Sequence, residues 1–316
     1  MDPLVAVIIL NWNGLEDTQA CLNSLGKLTF PPHEIIIVDN GSSDGSIAVL
    51  KKTYPDVTYI ENSENLGFTG GNNAGLRYAK SIDADYALLL NNDTEVDPAF
   101  LGLLVDVAES DEEIGIVGPS IFFFDEPDVL WSAGGDIDWM RGRTNMVGIN
   151  QTDNGQFGED PRDVDFVSGC ALMIRMAVVE EVGPLDERFF VYYEETEWCV
   201  RVARSGYKIM HVPLAKIWHK TSIEDQISSP IVTYYMVRNR LLFLKLSHAN
   251  MIAWIYSLLL DNLRTLLSLS IRPKWKHMRA RRTVMLKAIL DFFSGKFGRA
   301  PNIEVTRSKS KNLVIS

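Results

Sequence analysis

The chain begins with short apolar runs that alternate with segments of helical spacing. Leu4–Leu10 is apolar and β-branched, and Glu16–Leu25 has apolar positions three and four residues apart. The same alternation continues with strands at Glu34–Val38, Val57–Ile60, Tyr86–Leu90 and Ile114–Val117, and helices at Asp44–Tyr54, Asn72–Lys80 and after Pro98. This order predicts an α/β fold, Rossmann-like, with a mostly parallel sheet and helices on both faces.

The pattern weakens in the middle of the chain and later becomes helical. From Phe122 to Asp163, Gly, Asp, Asn and Pro are frequent, so we expect loops there. Periodicity resumes with strands at Asp165–Arg175, Lys208–Val212 and Ala215–Trp218 and a helix at Glu194–Arg204. After Ile231 the spacing predicts helices as far as Phe297. We therefore divide the chain into an α/β domain, residues 1–230, and a C-terminal helical region, residues 231–316.

Composition narrows the class of protein. The 316 residues are 46% hydrophobic and 23% charged, which is typical of a globular protein. The three cysteines are widely spaced, which predicts neither disulfides nor a zinc site and fits a reducing cytosol. No basic region precedes Leu4–Leu10, so we interpret this run as a buried strand rather than a secretion signal and expect a cytoplasmic protein.

The net charge of −10 conceals an asymmetry. Residues 271–316 hold 12 basic and 2 acidic residues, against 19 and 39 in the rest of the chain. The preceding segment, Met251–Ile271, is rich in Leu and Ile but interrupted by Asp261, Asn262 and Arg264. We expect a peripheral helix at the anionic inner face of the cell membrane, with its charges turned to water, rather than a span. Packing on the body or in a homodimer is the alternative, and the acidic body argues against nucleic acid.

Four polar segments follow predicted strands, where ligands bind in open α/β sheets. They contain the candidate residues Asn11 and Asn13, Asp39, the glycine-rich run Asn65–Gly75, and Asn92 with Asp93. A carboxylate at Asp39 can accept hydrogen bonds from a base or a ribose. Helix capping explains Asp44 better than Asp39. Four such segments predict one shared crevice.

The glycine-rich run predicts a loop in which Gly70, Gly71 and Asn72 let the backbone approach a ligand, with a flexible turn as the plainer interpretation. The run is neither G-x-G-x-x-G after the first strand nor G-x-x-x-x-G-K-[ST], which argues against a dinucleotide dehydrogenase and a P-loop enzyme.

Asp93 and His219 are the candidate metal ligands, because each ends a strand and hard divalent cations prefer carboxylates and phosphates. An Asx turn at Asp93 and a structural histidine are the alternatives.

Three acids, Glu194, Glu195 and Glu197, follow the aromatic run Phe189–Tyr193. They suit the first turn of a helix, where the macrodipole favours negative charge. Beside aromatic rings a carboxylate is partly desolvated, so one of them is also a candidate general base with a raised pKa.

Taken in order, these motifs resemble a known family. They are Val38–Gly45, Asn65–Gly75, Leu90–Asp93, Glu194–Glu195 with Arg201, and His219. Their order and spacing resemble the family 2 glycosyltransferases of GT-A fold, most of all the rhamnosyltransferase-like branch. The resemblance covers residues 4–245 and includes the stretch from Tyr234 to Asn239.

The resemblance implies roles for single residues. Asp39 contacts the nucleoside, the Gly70–Asn73 segment borders the donor, Asp93 and His219 hold Mg²⁺ or Mn²⁺, and Glu195 is the base. Two departures are present: Asn91 replaces the first acid of a D-x-D-like motif, and a Glu-Glu pair replaces Glu-Asp. The second departure makes Glu194 and Glu197 alternates to Glu195.

The implied activity is inverting, metal-dependent sugar transfer in cell-surface polysaccharide synthesis. The donor is a nucleoside-diphosphate sugar, with rhamnose a candidate, and the acceptor is a hydroxyl of a saccharide or lipid-linked molecule. A nucleotidyltransferase is an alternative, but no loop with Arg and Lys follows the first strand. A non-catalytic sugar-nucleotide-binding module is another, and the joint presence of Asp39, Asp93, Glu195 and His219 argues against it.

Overall fold

The computed structural model describes residues 2–30, 33–221, 229–271 and 279–300. The first elements are β1 (Val5–Asn11), α1 (Leu15–Leu25), β2 (His33–Asp39), α2 (Ser46–Thr53), β3 (Thr58–Glu61), α3 (Gly67–Ser81), β4 (Tyr86–Asn91), β5 (Thr94–Val96), α4 (Phe100–Ser110) and β6 (Ile114–Phe123). Next come β7 (Val129–Ser132), β8 (Gly135–Asp138), β9 (Arg143–Met146), β10 (Gln151–Thr152), β11 (Arg162–Asp163), β12 (Ala171–Arg175), α5 (Met176–Val182), α6 (Glu194–Arg204) and β13 (Lys208–His219). The C-terminal helices are α7 (Pro230–Leu246), α8 (Met251–Ile255), α9 (Arg264–Ile271) and α10 (Arg279–Phe293), with a π-helical segment (Tyr256–Leu263) joining α8 to α9.

The large sheet has β1 near its centre, in the order β10-β7-β6-β12-β4-β1-β2-β3. Strands β1 to β4 pair in parallel, so their carboxyl ends meet at one edge. β12 runs antiparallel between β4 and β6. β13 runs parallel to β6, and its last residues pair with β5, just after β4. The predicted α/β fold with a mostly parallel sheet is confirmed. We call the edge formed by the carboxyl ends of β1 to β4 the crevice edge, and β13 ends beside it.

The alternation of β1 builds a core on each face of the sheet. Ala6, Ile8 and Leu10 belong to the apolar cluster that includes residues of α3, α6 and α7. Val5, Val7 and Ile9 belong to the cluster that includes residues of α1 and α4. Since successive side chains of a strand point to opposite faces, a strand buried on both faces is apolar throughout.

The predicted glycine-rich loop is wrong, because Gly70, Gly71 and Asn72 lie inside α3, which begins at Gly67. The glycines allow this helix to pack closely on β1. A Cβ at Gly71 would lie 2.3 Å from Leu10 Cδ1, and one at Gly75 would lie 2.4 Å from Ile8 Cγ2. The absence of side chains at this interface therefore serves helix–strand packing rather than a mobile turn.

Two other expectations change in detail. The segment from Phe122 to Asp163 contains β7 to β11 and not only loops; these strands have two to four residues each, too short to show a period in the sequence. The two predicted strands, Lys208–Val212 and Ala215–Trp218, form one strand, β13, whose register against β6 shifts between Val212 and Lys216.

The predicted C-terminal helices are present, and α7 contributes to the main core. Tyr234, Leu241 and Phe243 are fully buried in the cluster that contains Ile8. The boundary that we predict after residue 230 stays a prediction. Across the described ranges, no helix is both long enough and apolar enough to span a membrane. Residues 222–228, 272–278 and 301–316, with Arg272, Lys274 and Lys276 of the predicted basic segment, lie outside the described residues.

Asp261 corrects one expectation about this region. We expected its carboxylate to face water, but it accepts hydrogen bonds from Arg143 of β9 and forms an ion pair with Arg240 of α7, 2.7 Å away. The body supplies two guanidinium groups at this point, so the carboxylate turns inward and its side chain is only 14% exposed. These charge-assisted contacts attach the π-helical segment to the body.

Candidate active site

A chain of buried hydrogen bonds runs along the crevice edge and joins three strands. Asn92 Nδ2 donates to Thr18 Oγ1 at 2.9 Å, and Thr18 Oγ1 donates to Asn11 Oδ1 at 2.9 Å. Asn11 Nδ2 then donates to Asp39 Oδ1 at 2.8 Å. Asp39 Oδ2 accepts from the backbone N–H of Ser42 at 3.0 Å. This network fixes the ends of β4, β1 and β2 relative to one another.

The network also shows what each predicted donor-binding residue contacts. Asn11 is fully buried, and its Nδ2 is shared with two further hydroxyls, on Ser42 and Ser46. Asn13 Oδ1 accepts from the N–H of Ser43, which ties the first loop to the loop after β2. Both asparagines therefore shape the crevice wall, and donor contact by Asn11, Asn13 and Asp39 stays a prediction.

Asn92 and Gly14 are packed against each other at the entrance to α1. A Cβ at Gly14 would lie 2.5 Å from Asn92 Nδ2, so only glycine leaves room for the amide. Asn92 is fully buried, and its Oδ1 has no hydrogen-bond partner in the part of the chain that the structure describes. Buried polar atoms are normally hydrogen-bonded, so this free acceptor indicates a site for a donor group from a ligand or water.

Asp93 and His219 are brought together, as the sequence predicts. The pairing of His219 with Thr94 between β13 and β5 carries the imidazole to the loop after β4. His219 Nε2 lies 3.2 Å from Asp93 Oδ1, and both side chains are at most 16% exposed. Nδ1 of His219 has no partner among the described residues. A carboxylate and an imidazole thus meet at a position that is largely shielded from solvent.

The two groups shift each other's pKa. Burial opposes ionisation of Asp93, but the charge and hydrogen bond of His219 outweigh it and hold the carboxyl pKa below its ordinary value. Burial likewise opposes a charged imidazole, but Cys170 and Asp93 raise the pKa of His219 well above its ordinary range. A divalent cation that replaced the imidazole proton would satisfy the same carboxylate.

The donor set fits a divalent cation that is completed by substrate. Two neighbouring ligands of an octahedral Mg²⁺, each about 2.1 Å from the ion, are about 3 Å apart. The observed 3.2 Å between Nε2 and Oδ1 is close to that separation. Within the described ranges no cluster of three His, Cys, Asp or Glu side chains could hold a metal ion. Asp93 and His219 would therefore leave coordination positions for phosphate and water, as Mg²⁺ sites commonly do.

The three acids at the start of α6 have different surroundings. Glu197 makes a two-point ion pair with Arg201, at 3.2 and 3.0 Å, which ties it to its own helix. Glu194 is only 4% exposed, and its Oε2 has no partner in the described chain. Glu195 is half-buried, and its carboxylate accepts backbone N–H groups of the first turn of α6 and a long hydrogen bond, 3.4 Å, from Thr196 Oγ1. Glu195 thus combines solvent access with a carboxylate that forms no ion pair among the described residues.

Burial raises the pKa of both Glu194 and Glu195. For Glu194 the charge of Glu195 adds to the effect. A raised pKa makes a carboxylate a stronger base, which suits general-base chemistry near neutral pH.

Glu195 is connected to the edge of the sheet that carries the metal-ligand pair. Its Cβ is 3.6 Å from the position that a Cβ would take on Gly169. The next residue, Cys170, interacts with His219, and its carbonyl accepts from the N–H of Asn91 at 2.9 Å. Two adjacent residues therefore bridge α6 to the end of β4.

Comparison with known proteins decides the family. Residues 6–183 match the family described as Glycosyl transferase family 2. The chain belongs to this family. The match covers β1 to α5 and therefore includes the crevice edge, whereas α6 and β13 lie beyond it.

Curated relatives of this family 2 glycosyltransferase extend over most of its length. The hexosyltransferase Agl10 of low-salt glycan biosynthesis, from Haloferax volcanii, is 28% identical over 242 residues, 75% of this chain and 74% of that protein. The N-acetylglucosaminyl-diphospho-decaprenol L-rhamnosyltransferase of Mycobacterium tuberculosis is 26% identical over 239 residues, 69% of this chain and 76% of that protein. The predicted rhamnosyltransferase-like resemblance is confirmed.

Solved structures share the GT-A fold. The mannosyltransferase PcManGT of Pyrobaculum calidifontis, in complex with GDP-Man and Mn²⁺, aligns with a TM-score of 0.58 at 14% identity, over 94% of this chain and 88% of that one. GalNAc-T7 with UDP, GalNAc and Mn²⁺ aligns with a TM-score of 0.61 at 19% identity, over 77% of this chain and 48% of that one.

Some residues of the site are not among the predicted site residues. Thr18, Ser42 and Ser46 complete the network around Asn11, and Gly14 makes room for Asn92. Gly14, three residues after the end of β1, and Ser42 lie in two of the polar segments that the sequence indicates, whereas Thr18 and Ser46 lie in helices. The hydroxyl residues are common helix and turn residues, so only the fold shows their role.

Proposed function

We propose that the chain is an inverting, metal-dependent glycosyltransferase that moves a sugar from a nucleoside-diphosphate donor to a hydroxyl of a saccharide or lipid-linked acceptor. The observation that carries the proposal is the pairing of Asp93 with His219 at the edge of the sheet to which the half-buried Glu195 is connected through Gly169 and Cys170. Two relatives that are rhamnosyltransferases support rhamnose as the candidate sugar, and a relative in glycan biosynthesis supports the proposed role in cell-surface polysaccharide synthesis.

In this mechanism Asp39 faces the nucleoside, and Gly70, Gly71 and Asn72, in the first turns of α3, border the donor. Asp93 and His219 would hold Mg²⁺ or Mn²⁺, which when bound neutralises the departing diphosphate. Two solved structures of the same fold, GalNAc-T7 and PcManGT, contain Mn²⁺, which supports this assignment.

The transfer itself is a single displacement. Glu195 accepts the proton of the acceptor hydroxyl while its oxygen bonds to the anomeric carbon, and the bond from that carbon to the diphosphate oxygen breaks. The nucleoside diphosphate leaves with the electron pair of that bond, so the anomeric configuration inverts. Glu195 is preferred over Glu197, which Arg201 neutralises, and over Glu194, which is almost fully enclosed.

A panel of nucleotide sugars tests the donor class. Binding to the folded state raises the melting temperature by mass action. We expect one nucleoside-diphosphate sugar to raise it more in Mn²⁺ than in EDTA, and to be turned over once an acceptor is supplied. Binding without turnover of any acceptor would favour the non-catalytic sugar-nucleotide-binding module.

We also infer that the C-terminal helices bind an anionic membrane surface at the inner face of the cell membrane. The helical run from α8 to α9 has its polar side against the body, where Ser257 and Asn262 are buried and Asp261 is paired. Its outward side, which we call the outer stripe, is apolar and 45% to 72% exposed. It consists of Met251, Ile252, Ile255, Leu259, Leu260, Leu263, Leu267 and Ile271.

The outer stripe inverts the usual arrangement of a surface helix, in which the apolar side faces the core. An exposed apolar surface of this extent marks a place for a partner. Basic residues supply the second signal, since residues 271–316 carry 12 basic against 2 acidic side chains. Apolar burial together with attraction to anionic headgroups is the requirement for stable interfacial binding, and it would hold the enzyme beside a lipid-linked acceptor.

A further inference from the structure

The segment that leads into the three acids has an unusual backbone. Phe190, Tyr192 and Tyr193 have φ angles of 69°, 70° and 72°, in the left-handed region that bulky residues rarely adopt. Glu194 follows at once as the first residue of α6. Conformations of this kind persist only where the surroundings enforce them, and they cluster at functional sites. The direction in which α6 begins therefore depends on whatever holds this segment.

Asn239 of α7 is the group that contacts the segment most extensively. Its Nδ2 lies 2.9 Å from the carbonyl oxygen of Phe189, 2.7 Å from that of Val191 and 2.9 Å from that of Tyr192. Asn239 is fully buried. One side-chain amide thus lies within hydrogen-bonding distance of three carbonyl oxygens from four consecutive residues. These contacts hold the curvature of the left-handed stretch.

Arg238 supports Asn239 from the opposite side. Its Nε donates to Asn239 Oδ1 at 2.9 Å, which orients the amide with Nδ2 towards the segment. Its Nη2 donates to the carbonyl of Phe189 at 3.0 Å. The guanidinium is 1% exposed and lies over the rings of Tyr234 and Tyr235. Burial of a charge is costly unless it is well hydrogen-bonded, so this arrangement commits a charged group to the segment.

The segment also contacts the donor side of the crevice. The N–H of Thr69, in the first turn of α3, donates to the carbonyl of Phe190 at 3.2 Å. Gly67 precedes it with a φ of 75°, and a Cβ there would lie 2.4 Å from the same carbonyl oxygen. The segment is therefore fixed between α7 and α3, and Glu195 leaves it towards Gly169.

We propose that Asn239, oriented by Arg238, is a positioning residue that holds the left-handed segment and so aims Glu195 at the acceptor hydroxyl. This inference rests on the proposed function, with Glu195 as the base. Asn239 touches neither substrate nor metal in this account. Its loss therefore changes the geometry of proton transfer and leaves donor binding in place.

The test compares kcat, the donor KM and the pH profile of wild type, Asn239→Ala and Ser120→Ala. Ser120 is a matched control, because it is equally buried and its hydrogen bonds go to His211 and Pro213 instead. We expect Asn239→Ala to lower kcat by about 10²-fold, as a misplaced catalytic group does, with donor KM nearly unchanged. The acid limb of the variant's pH–rate profile should move to lower pH, because a released Glu195 is better solvated and its pKa falls. Ser120→Ala lowers the melting temperature without either effect.

A second variant keeps the test decisive if Asn239→Ala folds poorly. Glycine adopts a positive φ without steric cost, so Tyr192→Gly in the Asn239→Ala background should restore part of kcat together with folding. Inactive wild type would contradict the proposed function. Active wild type with an unchanged kcat in Asn239→Ala, or with kcat and donor KM altered alike and no rescue by Tyr192→Gly, would overturn the positioning role.

Discussion

At the scale of single residues, the acids at the start of α6 differ in what surrounds each carboxylate. Arg201 neutralises Glu197, the body encloses Glu194, and Glu195 keeps partial access to the crevice. Identical side chains within four positions therefore have different chemical surroundings. The sequence alone left all three open as the base, because the partner of each acid is set by packing.

Glu195→Gln preserves shape and removes the basic oxygen. We expect kcat to fall by at least about 10²-fold with the donor KM nearly unchanged, since a general base contributes at least that much. Glu194→Gln should keep most of the activity, and Glu197→Gln should lose stability before it loses kcat. Steady-state kinetics of the three variants check this. Near-normal turnover by Glu195→Gln with an inactive Glu194→Gln would assign the base to Glu194.

The buried carboxyl of Glu194 should make the stability of the folded protein depend on pH. Burial raises its pKa in the folded state, so the protonated form is favoured there. The stability that protonated Glu194 contributes is present below its pKa in the unfolded chain, about 4.3, and is lost as the pH rises through its pKa in the folded protein. Glu194→Gln should therefore melt higher than wild type at about pH 8, and the difference should shrink towards about pH 4.5. A difference that is the same at both pH values would contradict the raised pKa.

Some residue assignments could be made from sequence and others could not. Asp93 lies just beyond the end of β4 and His219 ends β13, and the rule that ligands bind at strand ends brings them together. The contacts of Asn11 join residues 7 to 35 positions apart, so no local pattern shows that its amide is already occupied. Asn239 belongs to the Tyr234–Asn239 stretch that the family resemblance includes, but its contacts with residues 189–192 are shown only by the fold.

At the scale of elements, α3 shows how one composition supports two interpretations. Glycines permit a loop to approach a ligand, and they equally permit a helix to approach a strand. The deciding fact is the face that Gly71 and Gly75 share, four residues apart, against Leu10 and Ile8 of β1. The strand–helix order was predictable because each element has its own period, but close packing depends on the partner.

Gly75→Ala tests this packing. The new Cβ would lie 2.4 Å from Ile8 Cγ2, a branched side chain in the central strand that has little freedom to move. Overpacking costs about 1–3 kcal/mol, which should exceed the gain in helix propensity of up to about 1 kcal/mol. Gly102→Ala is the matched control in α4, where the nearest atom is 3.7 Å away and the propensity gain should dominate. In denaturant unfolding, Gly75→Ala should lower the free energy of unfolding and Gly102→Ala should raise it. If both variants were more stable than wild type, α3 would not pack closely on β1.

At the scale of the whole molecule, the body and the C-terminal helices present different surfaces. The body is acidic, whereas the C-terminal region combines the outer stripe with basic charge. The sequence predicted an interfacial helix but expected Asp261 to face water. The charge turns to Arg143 and Arg240 instead, which leaves the outward side largely apolar. Periodicity indicates that a helix has two sides, and only the packing shows which side faces out.

Membrane binding can be measured by sedimentation with anionic vesicles of phosphatidylglycerol and phosphatidylcholine. The full chain should sediment with them at low salt, and Ile255→Gln with Leu259→Gln should remove most of the binding. Leu214→Gln is the control, since Leu214 is 45% exposed but lies on β13, outside the outer stripe. A chain that stays in solution as a dimer by light scattering would instead assign the outer stripe to a second copy.

The central claim is that sugar transfer depends on a metal ion held by Asp93. The most direct measurement is the release of nucleoside diphosphate, with acceptor present, from the donor that the binding panel identifies. We predict turnover in Mn²⁺ or Mg²⁺, none in excess EDTA, and none by Asp93→Ala at any metal concentration. Asp97→Ala should stay active, because the Asp97 carboxylate accepts the N–H of Ala99 at the entrance to α4. Undiminished turnover in EDTA, or by Asp93→Ala, would contradict the account.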